Sequence, residues 1–338
     1  MTDRKLILHV GPHKTGTTAI QKTLRTTQDG LNEAGWHFET FPADPAGAHG
    51  IADQLSNSQF ERALKTIQTL DDSDRNLVIS SENFSRLNGE QAKYLIDNLA
   101  ADDIRVVYYL RNPLDRLQST WREWVKHGYR YSFAEFLGGR FLKPYFDPEI
   151  NEMLKIEPWA KAVGADNMDL HVYGNIDNAA THFMETYFPD VALPETKSQN
   201  KVNVSPNLYK AETYRALMGY QVWMAQHPEF ATEVKAVSAA LEEACAETSK
   251  AYLRQIEFSL NNPIVRSIEK SILESLGARI SNLNTPDQIH DKRNGSWDYV
   301  ASDVWLAEPA LARQVFALRD RIHAKLGAPR LDLRLRRL

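Results

Sequence analysis

A glycine-spaced loop near the start of the chain has the residue types that bind a phosphate group. Gly11 and Gly16 bracket the loop, Lys14 lies inside it, and Thr17 and Thr18 follow it. An apolar run precedes the loop and a helical pattern follows it, so backbone N–H groups and the positive end of a helix are directed at one anion. The sequence therefore predicts a phosphate site in this loop.

The position of the lysine argues against ordinary Mg·ATP chemistry. An ATP-type loop reads G-x-x-x-x-G-K-[ST], with the lysine directly after the second glycine and a hydroxyl beside it for magnesium. In this chain Thr17 occupies the position after Gly16, and the cation is Lys14 inside the loop. Such a loop suits a metal-free phosphate that carries another group to be transferred.

A second set of anion-binding residues follows a predicted strand at 104–110. Arg111 comes directly after that strand, and Asn112-Pro113 is a typical helix start because Asn is a good N-cap and Pro is favoured in the first turn. Ser119 lies seven residues after Asn112, which is two helical turns. Ligands bind at the carboxyl ends of parallel strands, so we expect the guanidinium and the hydroxyl to hold a second phosphate.

The two sets together resemble the cofactor signatures of the sulfotransferases that use 3′-phosphoadenosine 5′-phosphosulfate (PAPS). The resemblance covers Gly11 to Thr18 and the segment Leu110 to Arg116 with Ser119, in matching order and separation. In that family the first loop cradles the 5′-phosphosulfate, and the arginine and serine grip the 3′-phosphate. The resemblance thus implies 3′-phosphate contacts from Arg111 and Ser119, and 5′ contacts from Lys14, Thr15, Gly16, Thr17 and Thr18.

Two further segments resemble family features in part. His171-Val172-Tyr173 is similar to a strand that ends in Tyr-Glu and carries a tyrosine near the adenine, although Gly174 follows here. The segment Lys292 to Trp297 is similar to a late basic, glycine-containing segment that closes over the 3′-phosphate and the adenine. The resemblance implies further cofactor contacts from Tyr173, Arg293 and Gly295.

The implied reaction is in-line transfer of a sulfuryl group to a hydroxyl or amine, without a metal and with adenosine 3′,5′-bisphosphate as the product. The reaction needs a cation at the leaving phosphate, for which Lys14 is suited, and a base for the acceptor proton. Glu82 follows a predicted strand at 77–80, where carbohydrate-type sulfotransferases carry a glutamate base. The expected acceptor is therefore a sugar or a related small molecule. His13 and His49 are the alternative bases.

The elements that must position these residues alternate as they do in a parallel sheet covered by helices. The expected fold class is α/β, a three-layer P-loop-type sandwich with a central parallel sheet flanked by helices, plus a largely helical C-terminal elaboration. Strands are predicted at 5–10, 77–80, 104–110 and 168–173. Besides the helix opened by Asn112-Pro113, helices are predicted at 17–28, 51–70, 89–99, 206–226, 229–258, 264–281 and 308–326.

The composition is that of a single large domain. The 338 residues, 43% of them hydrophobic, can bury a sizeable core. We expect an α/β core at about 1–200, a return to it at 285–326, and a helical subdomain at about 205–282. The net charge of −4 is too small for the whole chain to attract nucleic acid.

The single cysteine and the short N-terminal apolar run bear on the compartment. Cys245 alone can build neither a disulfide framework nor a cysteine metal site, which fits a reducing environment. The apolar run before Gly11 is too short for a signal sequence or a membrane span. We therefore expect a cytoplasmic protein.

Two other functions compete with sulfuryl transfer. A P-loop kinase or NTPase would use the same kind of loop, although the Gly-Lys-[Ser/Thr] order is missing and the sequence has no evident Walker-B strand ending in Asp. A non-catalytic nucleotide-binding scaffold would keep the fold and need no base such as Glu82.

Overall fold

The structure is a computed structural model that describes residues 4–40, 47–70, 75–193, 207–217, 227–247 and 252–326. Its strands are β1 (Lys5–His9), β2 (Trp36–Phe38), β3 (Asn76–Ser80), β4 (Asp103–Leu110), β5 (Met168–Val172), β6 (Leu253–Ser259) and β7 (Asn294–Val300). Its helices are α1 (Thr17–Thr26), α2 (Gln28–Glu33), α3 (His49–Ser56), α4 (Phe60–Ile67), α5 (Gly89–Asn98), α6 (Pro113–Lys126), α7 (Phe133–Phe141), α8 (Met153–Val163), α9 (Ala179–Tyr187), α10 (Leu208–Ala216), α11 (Pro228–Glu247), α12 (Pro263–Leu276), α13 (Val304–Ala307) and α14 (Pro309–Leu326).

Within the described residues, strands β1 to β5 form one parallel sheet in the order β2-β3-β1-β4-β5. Leu8 of β1 lies opposite Ile79 of β3 on one side and Val106 of β4 on the other. The strands are short continuous apolar runs, which is typical of parallel strands buried on both faces. Because β1 is central, its carboxyl end lies between those of β3 and β4.

Helices cover both faces of this sheet. On one face, Ile7 and Val107 of the strands share a buried apolar cluster with Leu24 of α1 and Phe183 of α9. On the other, α8 packs on β4 and against α5, and the rings of Phe84 and Trp159 meet edge to face at 6.0 Å. The predicted α/β fold with a central parallel sheet flanked by helices is confirmed.

Local signals account for several helix boundaries. Asn112 accepts a hydrogen bond from the backbone N–H of Leu114, so it caps α6 as its sequence position predicts. Asn88 and Gln91 form a capping box at the start of α5. The predicted helix at 51–70 is instead two helices, α3 and α4, because Ser58 between them has a positive φ of 58°.

The described residues divide between two compact units. The first unit lies within Met1–Arg116, Lys143–Gln199 and Leu260–Arg293, and it contains the parallel sheet. The second unit lies within Leu117–Leu142, Asn200–Ser259 and Asn294–Leu338. The single-domain organisation, with an α/β core and a helical subdomain, stays a prediction.

The second unit has its own apolar core and its own small sheet. Strands β6 and β7 pair antiparallel, and Val300 of β7 belongs to a buried cluster with Leu241 of α11 and Leu318 of α14. The prediction of a helix at 229–258 is wrong in its last part, where β6 lies. Strand β7, which is also not predicted, lies about 40 residues further along the chain. Local hydrophobic periodicity therefore cannot predict that β6 and β7 pair.

Parts of two predictions lie outside the described residues. The predicted helix at 206–226 is described only as far as 217, where it contains α10. Most of the connection between α11 and β6 is likewise outside the described residues. In the part of the chain that is described, no helix is both long enough and apolar enough to cross a membrane.

Two histidines are buried in the first unit as neutral groups. His9, at the end of β1, has its Nδ1 2.9 Å from Ser80 Oγ, and its ring is fully buried. His171, on β5, has its Nδ1 2.7 Å from Ser281 Oγ and its Nε2 2.9 Å from the Tyr187 hydroxyl. Burial lowers the pKa of His9 to about 3 and the pKa of His171 to about 4.

We predict that the free energy of unfolding falls as the pH drops from 7.5 to 5. In the unfolded chain, His9 and His171 take up protons below their ordinary pKa of about 6.5, whereas in the folded protein they stay neutral until about pH 4 or below. Each histidine should therefore cost about 2 kcal/mol of stability at pH 5. Urea unfolding at a series of pH values measures this loss.

Replacing either histidine should flatten that pH dependence. His9→Gln or His171→Gln should each reduce the slope, whatever the variant does to stability at pH 7.5. Leu8→Ala is a matched control, since it removes a buried side chain of β1 that does not titrate. The prediction is contradicted if both histidine variants keep the wild-type slope.

Candidate functional site

The loop after β1 has a backbone shape that ordinary residues avoid. Gly11, Lys14 and Gly16 have positive φ angles of 88°, 70° and 79°. A positive φ strains a residue such as lysine, and such positions cluster at ligand-binding sites. The side chain of Arg111 donates a hydrogen bond from Nη1 to the Lys14 carbonyl, which helps to hold this conformation.

The two glycines also let the loop approach its neighbours closely. A Cβ atom on Gly11 would lie 2.8 Å from the Cα of Glu82, and one on Gly16 would lie 2.7 Å from the Cβ of Ala179. Neither position has room for a side chain. The loop therefore lies directly against the end of β3 and the start of α9.

The threonines of the loop differ in burial and in the hydrogen bonds of their hydroxyls. Thr15 and Thr17 are buried, and their hydroxyls donate to the Pro12 carbonyl at 2.6 and 3.4 Å. Thr18 is exposed. Gly16 begins α1 without a side-chain cap in the structure, so the N–H groups of the first helical turn are oriented toward the loop.

Arg111 connects the loop to the ends of β4 and β5. Its guanidinium lies over the ring of Tyr173, 5.3 Å from the ring centroid, and Gly16 lies beside the same ring. Burial lowers the pKa of Arg111, although an arginine keeps its charge at any physiological pH. The structure thus brings together Lys14, Gly16, Arg111 and Tyr173.

Glu82 lies between the two histidines that are the alternative bases. It opens a 3-10 turn, Glu82–Arg86, directly after β3 and Ser81. Its Oε1 is 3.8 Å from His13 Nδ1, and its Oε2 is 3.7 Å from His49 Nε2. The carboxylate therefore has one imidazole beside each oxygen.

The two histidines are held differently. Arg86 Nη2 donates to His13 Nε2 at 2.8 Å, and since a guanidinium can only donate, the His13 proton resides on Nδ1 and faces Glu82. Burial and the Arg86 guanidinium lower the pKa of His13 to about 4, against the opposing effect of Glu82. His49 Nδ1 lies 2.6 Å from Ser81 Oγ. The lone pair of His13 is thus already engaged by Arg86.

A cluster of buried charged side chains lies near the end of β4. No role for these residues is predicted from the sequence. Arg116 donates to Glu152 at 2.6 Å, and Lys155 donates to Glu149 at 2.9 Å. Glu152 also accepts the backbone N–H of Arg111 at 3.4 Å. Glu149 and Glu152 precede α8 and only Lys155 lies within it, so helical spacing in the sequence does not predict these pairs.

In the late basic segment, Lys292 rather than Arg293 contacts the residues that follow β4. Lys292 pairs with Asp115 at 2.7 Å, and the Asn112 side chain donates to the Lys292 carbonyl at 2.8 Å. Arg293 pairs instead with Glu269 of α12 at 2.8 Å. Within the first unit, Lys292 is therefore the basic residue of this segment that lies beside the start of α6.

The remaining two predicted residues belong to the second unit. Ser119 lies on α6, past the point at which this helix leaves the first unit, and it is partly exposed. Gly295 lies in β7, opposite Phe258 of β6.

Comparison with known proteins finds a distant structural match. No family model matches the chain, and no curated protein matches it. It is similar to a solved sulfotransferase from Alicyclobacillus acidocaldarius, with a TM-score of 0.38 and 13% sequence identity, over 62% of this chain and 90% of that chain.

Proposed function

We propose that this protein is a sulfotransferase that moves a sulfuryl group from PAPS to a hydroxyl or amine of a carbohydrate or related small molecule. The observation that carries the proposal is the position of the Gly11–Gly16 loop, which lies against Glu82 and is hydrogen-bonded by Arg111. A phosphate loop, a carboxylate and a guanidinium thus meet at one edge of the sheet.

The residues of the loop fit a bound phosphosulfate. The positive φ angles of Gly11, Lys14 and Gly16 and the uncapped start of α1 are features of anion-binding loops, in which backbone N–H groups converge on the anion. Lys14 adds a positive charge. Arg111 offers its guanidinium at the tip of β4, with the Tyr173 ring beneath it as a surface for the adenine. Ser119 keeps its proposed role as a 3′-phosphate ligand on its sequence spacing. Bound PAPS would supply the sulfuryl group.

The transfer itself needs one bond made, one broken and one proton removed. The acceptor oxygen forms a bond to sulfur while the bond from sulfur to the nucleotide phosphate oxygen breaks, and Glu82 takes the acceptor proton. Lys14 and the α1 N-terminus stabilise the charge that builds on the leaving phosphate. The His13 proton that faces Glu82 helps to orient the carboxylate.

One observation favours a kinase or NTPase as a second candidate. Glu82 follows β3 and Ser81, and β3 is the strand beside β1, so a carboxylate does lie next to the loop where a magnesium-binding acid would be useful. Against this candidate, the Thr17 hydroxyl donates to the Pro12 carbonyl, and no lysine follows Gly16. The relative affinities for adenosine 3′,5′-bisphosphate and Mg·ATP distinguish the sulfotransferase from the kinase or NTPase.

We predict that adenosine 3′,5′-bisphosphate binds more tightly than Mg·ATP or adenosine 5′-monophosphate. Lys14→Ala and Arg111→Ala should each weaken adenosine 3′,5′-bisphosphate by about 10- to 100-fold, because each removes a charge-assisted hydrogen bond. Isothermal titration calorimetry measures these affinities. Lys93→Ala is the matched control, since Lys93 pairs with Asp97 on the exposed side of α5. Tighter binding of Mg·ATP would support the kinase instead.

We predict that Glu82→Gln abolishes transfer but leaves the nucleotide affinity within about twofold. Removing a positioned base typically lowers turnover by about 10²- to 10⁴-fold. The assay uses labelled PAPS with a panel of sugar and small-molecule acceptors, and His49→Gln is assayed in parallel. Wild-type turnover in Glu82→Gln together with its loss in His49→Gln would assign the base to His49. A wild-type protein that binds the nucleotide but transfers nothing to any acceptor would support the non-catalytic scaffold.

A further inference from the structure

The carboxylate of Glu82 has nitrogen atoms close to both of its oxygens. Its Oε1 is 3.8 Å from His13 Nδ1. Its Oε2 accepts a hydrogen bond from Gln21 Nε2 of α1 at 3.4 Å and is 3.7 Å from His49 Nε2. An imidazole nitrogen that carries a proton attracts a carboxylate oxygen, whereas a bare nitrogen does not. The orientation of the carboxylate therefore depends on where the imidazole protons lie.

Arg86 determines where the proton of the neutral His13 ring lies. Its Nη2 donates to His13 Nε2 at 2.8 Å. A guanidinium has donors and no acceptor, so Nε2 must be the bare nitrogen and Nδ1 must carry the proton. In an imidazole without such a partner, either nitrogen could carry it. The Arg86 contact thus directs an N–H group at Glu82 and occupies the nitrogen with which His13 could accept a proton.

Glu82 and Arg86 are the first and last residues of the same 3-10 turn. Phe84, in the middle of the turn, is fully buried, and the Ser85 hydroxyl donates to the Glu82 carbonyl at 2.7 Å. Arg86 itself is exposed. Because the turn is anchored in this way, the backbone holds the guanidinium and the carboxylate on either side of the His13 ring.

The charges that face His13 come from two parts of the first unit. Arg86 and Glu82 belong to the turn after β3, Lys155 belongs to α8, and Glu149 precedes α8. Burial and the Arg86 guanidinium lower the pKa of His13 to about 4, and Lys155 acts in the same direction, whereas Glu82 and Glu149 oppose them. Loss of the Arg86 charge should therefore raise the pKa of His13.

We infer that Arg86 is a positioning residue for the proton acceptor, because it holds His13 in the tautomer that directs Nδ1–H at Glu82, so that Glu82 and not His13 takes the acceptor proton. The inference rests on the proposed function. As the acceptor oxygen bonds to sulfur, its proton moves to a Glu82 oxygen, and His13 keeps its own proton throughout. Arg86 acts through His13 and takes no part in making or breaking bonds.

The first test reads the His13 ring directly by long-range proton–nitrogen NMR, in which protonated and bare nitrogens have different shifts. In wild type, Nδ1 should carry the proton, and the ring should stay neutral down to about pH 4. In Arg86→Ala, the preference for this tautomer should weaken and the ring should titrate at least about one pH unit higher. Arg86→Lys, which keeps a charged donor, should retain the wild-type tautomer. The spectrum of His13→Asn identifies the His13 signals.

The second test is the pH profile of sulfuryl transfer, expressed as the ratio of variant to wild-type turnover. For Arg86→Ala, the ratio should lie within about threefold of 1 at pH 8 and fall by about tenfold toward pH 5, because a protonated His13 pairs with Glu82 and blocks it as a base. In a His13→Asn background, which cannot titrate, Arg86→Ala should cause no such fall. Arg279→Ala is the matched control, since Arg279 pairs with Asp166 before β5, at the opposite edge of the sheet.

The outcomes separate this inference from the proposed function. A wild-type protein that transfers no sulfuryl group overturns the proposed function and, with it, the role of Arg86. If wild type is active, an unchanged His13 tautomer and titration in Arg86→Ala overturn the role of Arg86 alone. A loss of turnover that is equal at every pH also overturns it. Should Arg86→Ala not fold, as judged by circular dichroism, Arg86→Met decides the same comparison, because it keeps the aliphatic part of the side chain and removes the guanidinium.

Discussion

The loop after β1 has to reverse the chain while it stays in contact with the ends of two neighbouring strands. Three residues with positive φ accomplish the turn, and the absence of a side chain on Gly11 and Gly16 permits the contact. Because β1 is central in the sheet, everything at its carboxyl end lies between Glu82 and Arg111. The α1 N-terminus, the loop lysine and the carboxylate acquire their common location from this one constraint.

The basic side chains near the sheet edge of the first unit differ in their partners, which are carboxylates for some and backbone carbonyls for others. Arg116 and Lys155 are buried with Glu152 and Glu149, so they are neutralised within the fold and support the strand ends. Such an arrangement is costly to break, since removal of one partner leaves a buried charge. Arg111, by contrast, donates its side-chain hydrogen bonds to the backbone carbonyls of Lys14 and Asp115.

The sequence predicts four strands of the parallel sheet, β1, β3, β4 and β5, because they are apolar runs with local start and stop signals. It does not predict β2, because the three residues Trp36–Phe38 are too few to form a recognisable pattern. Lys14, Gly16, Arg111 and Tyr173 were also predictable as neighbours, since the carboxyl ends of adjacent parallel strands share one edge. The strand β6 was not, because its partner β7 is distant in the sequence. The path of the loop before β7 is likewise not encoded in hydrophobic periodicity. The sequence therefore does not predict that Lys292 pairs with Asp115 or that Arg293 pairs with Glu269.

The contact between Gly11 and residue 82 has a consequence for how such a site can evolve. The atom nearest to the missing Cβ of Gly11 is the Cα of Glu82, an atom that every amino acid possesses. The glycine at position 11 is therefore tied to the course of the backbone rather than to the carboxylate. The side chain at position 82 can therefore be exchanged during divergence without rebuilding the backbone of the loop between Gly11 and Gly16.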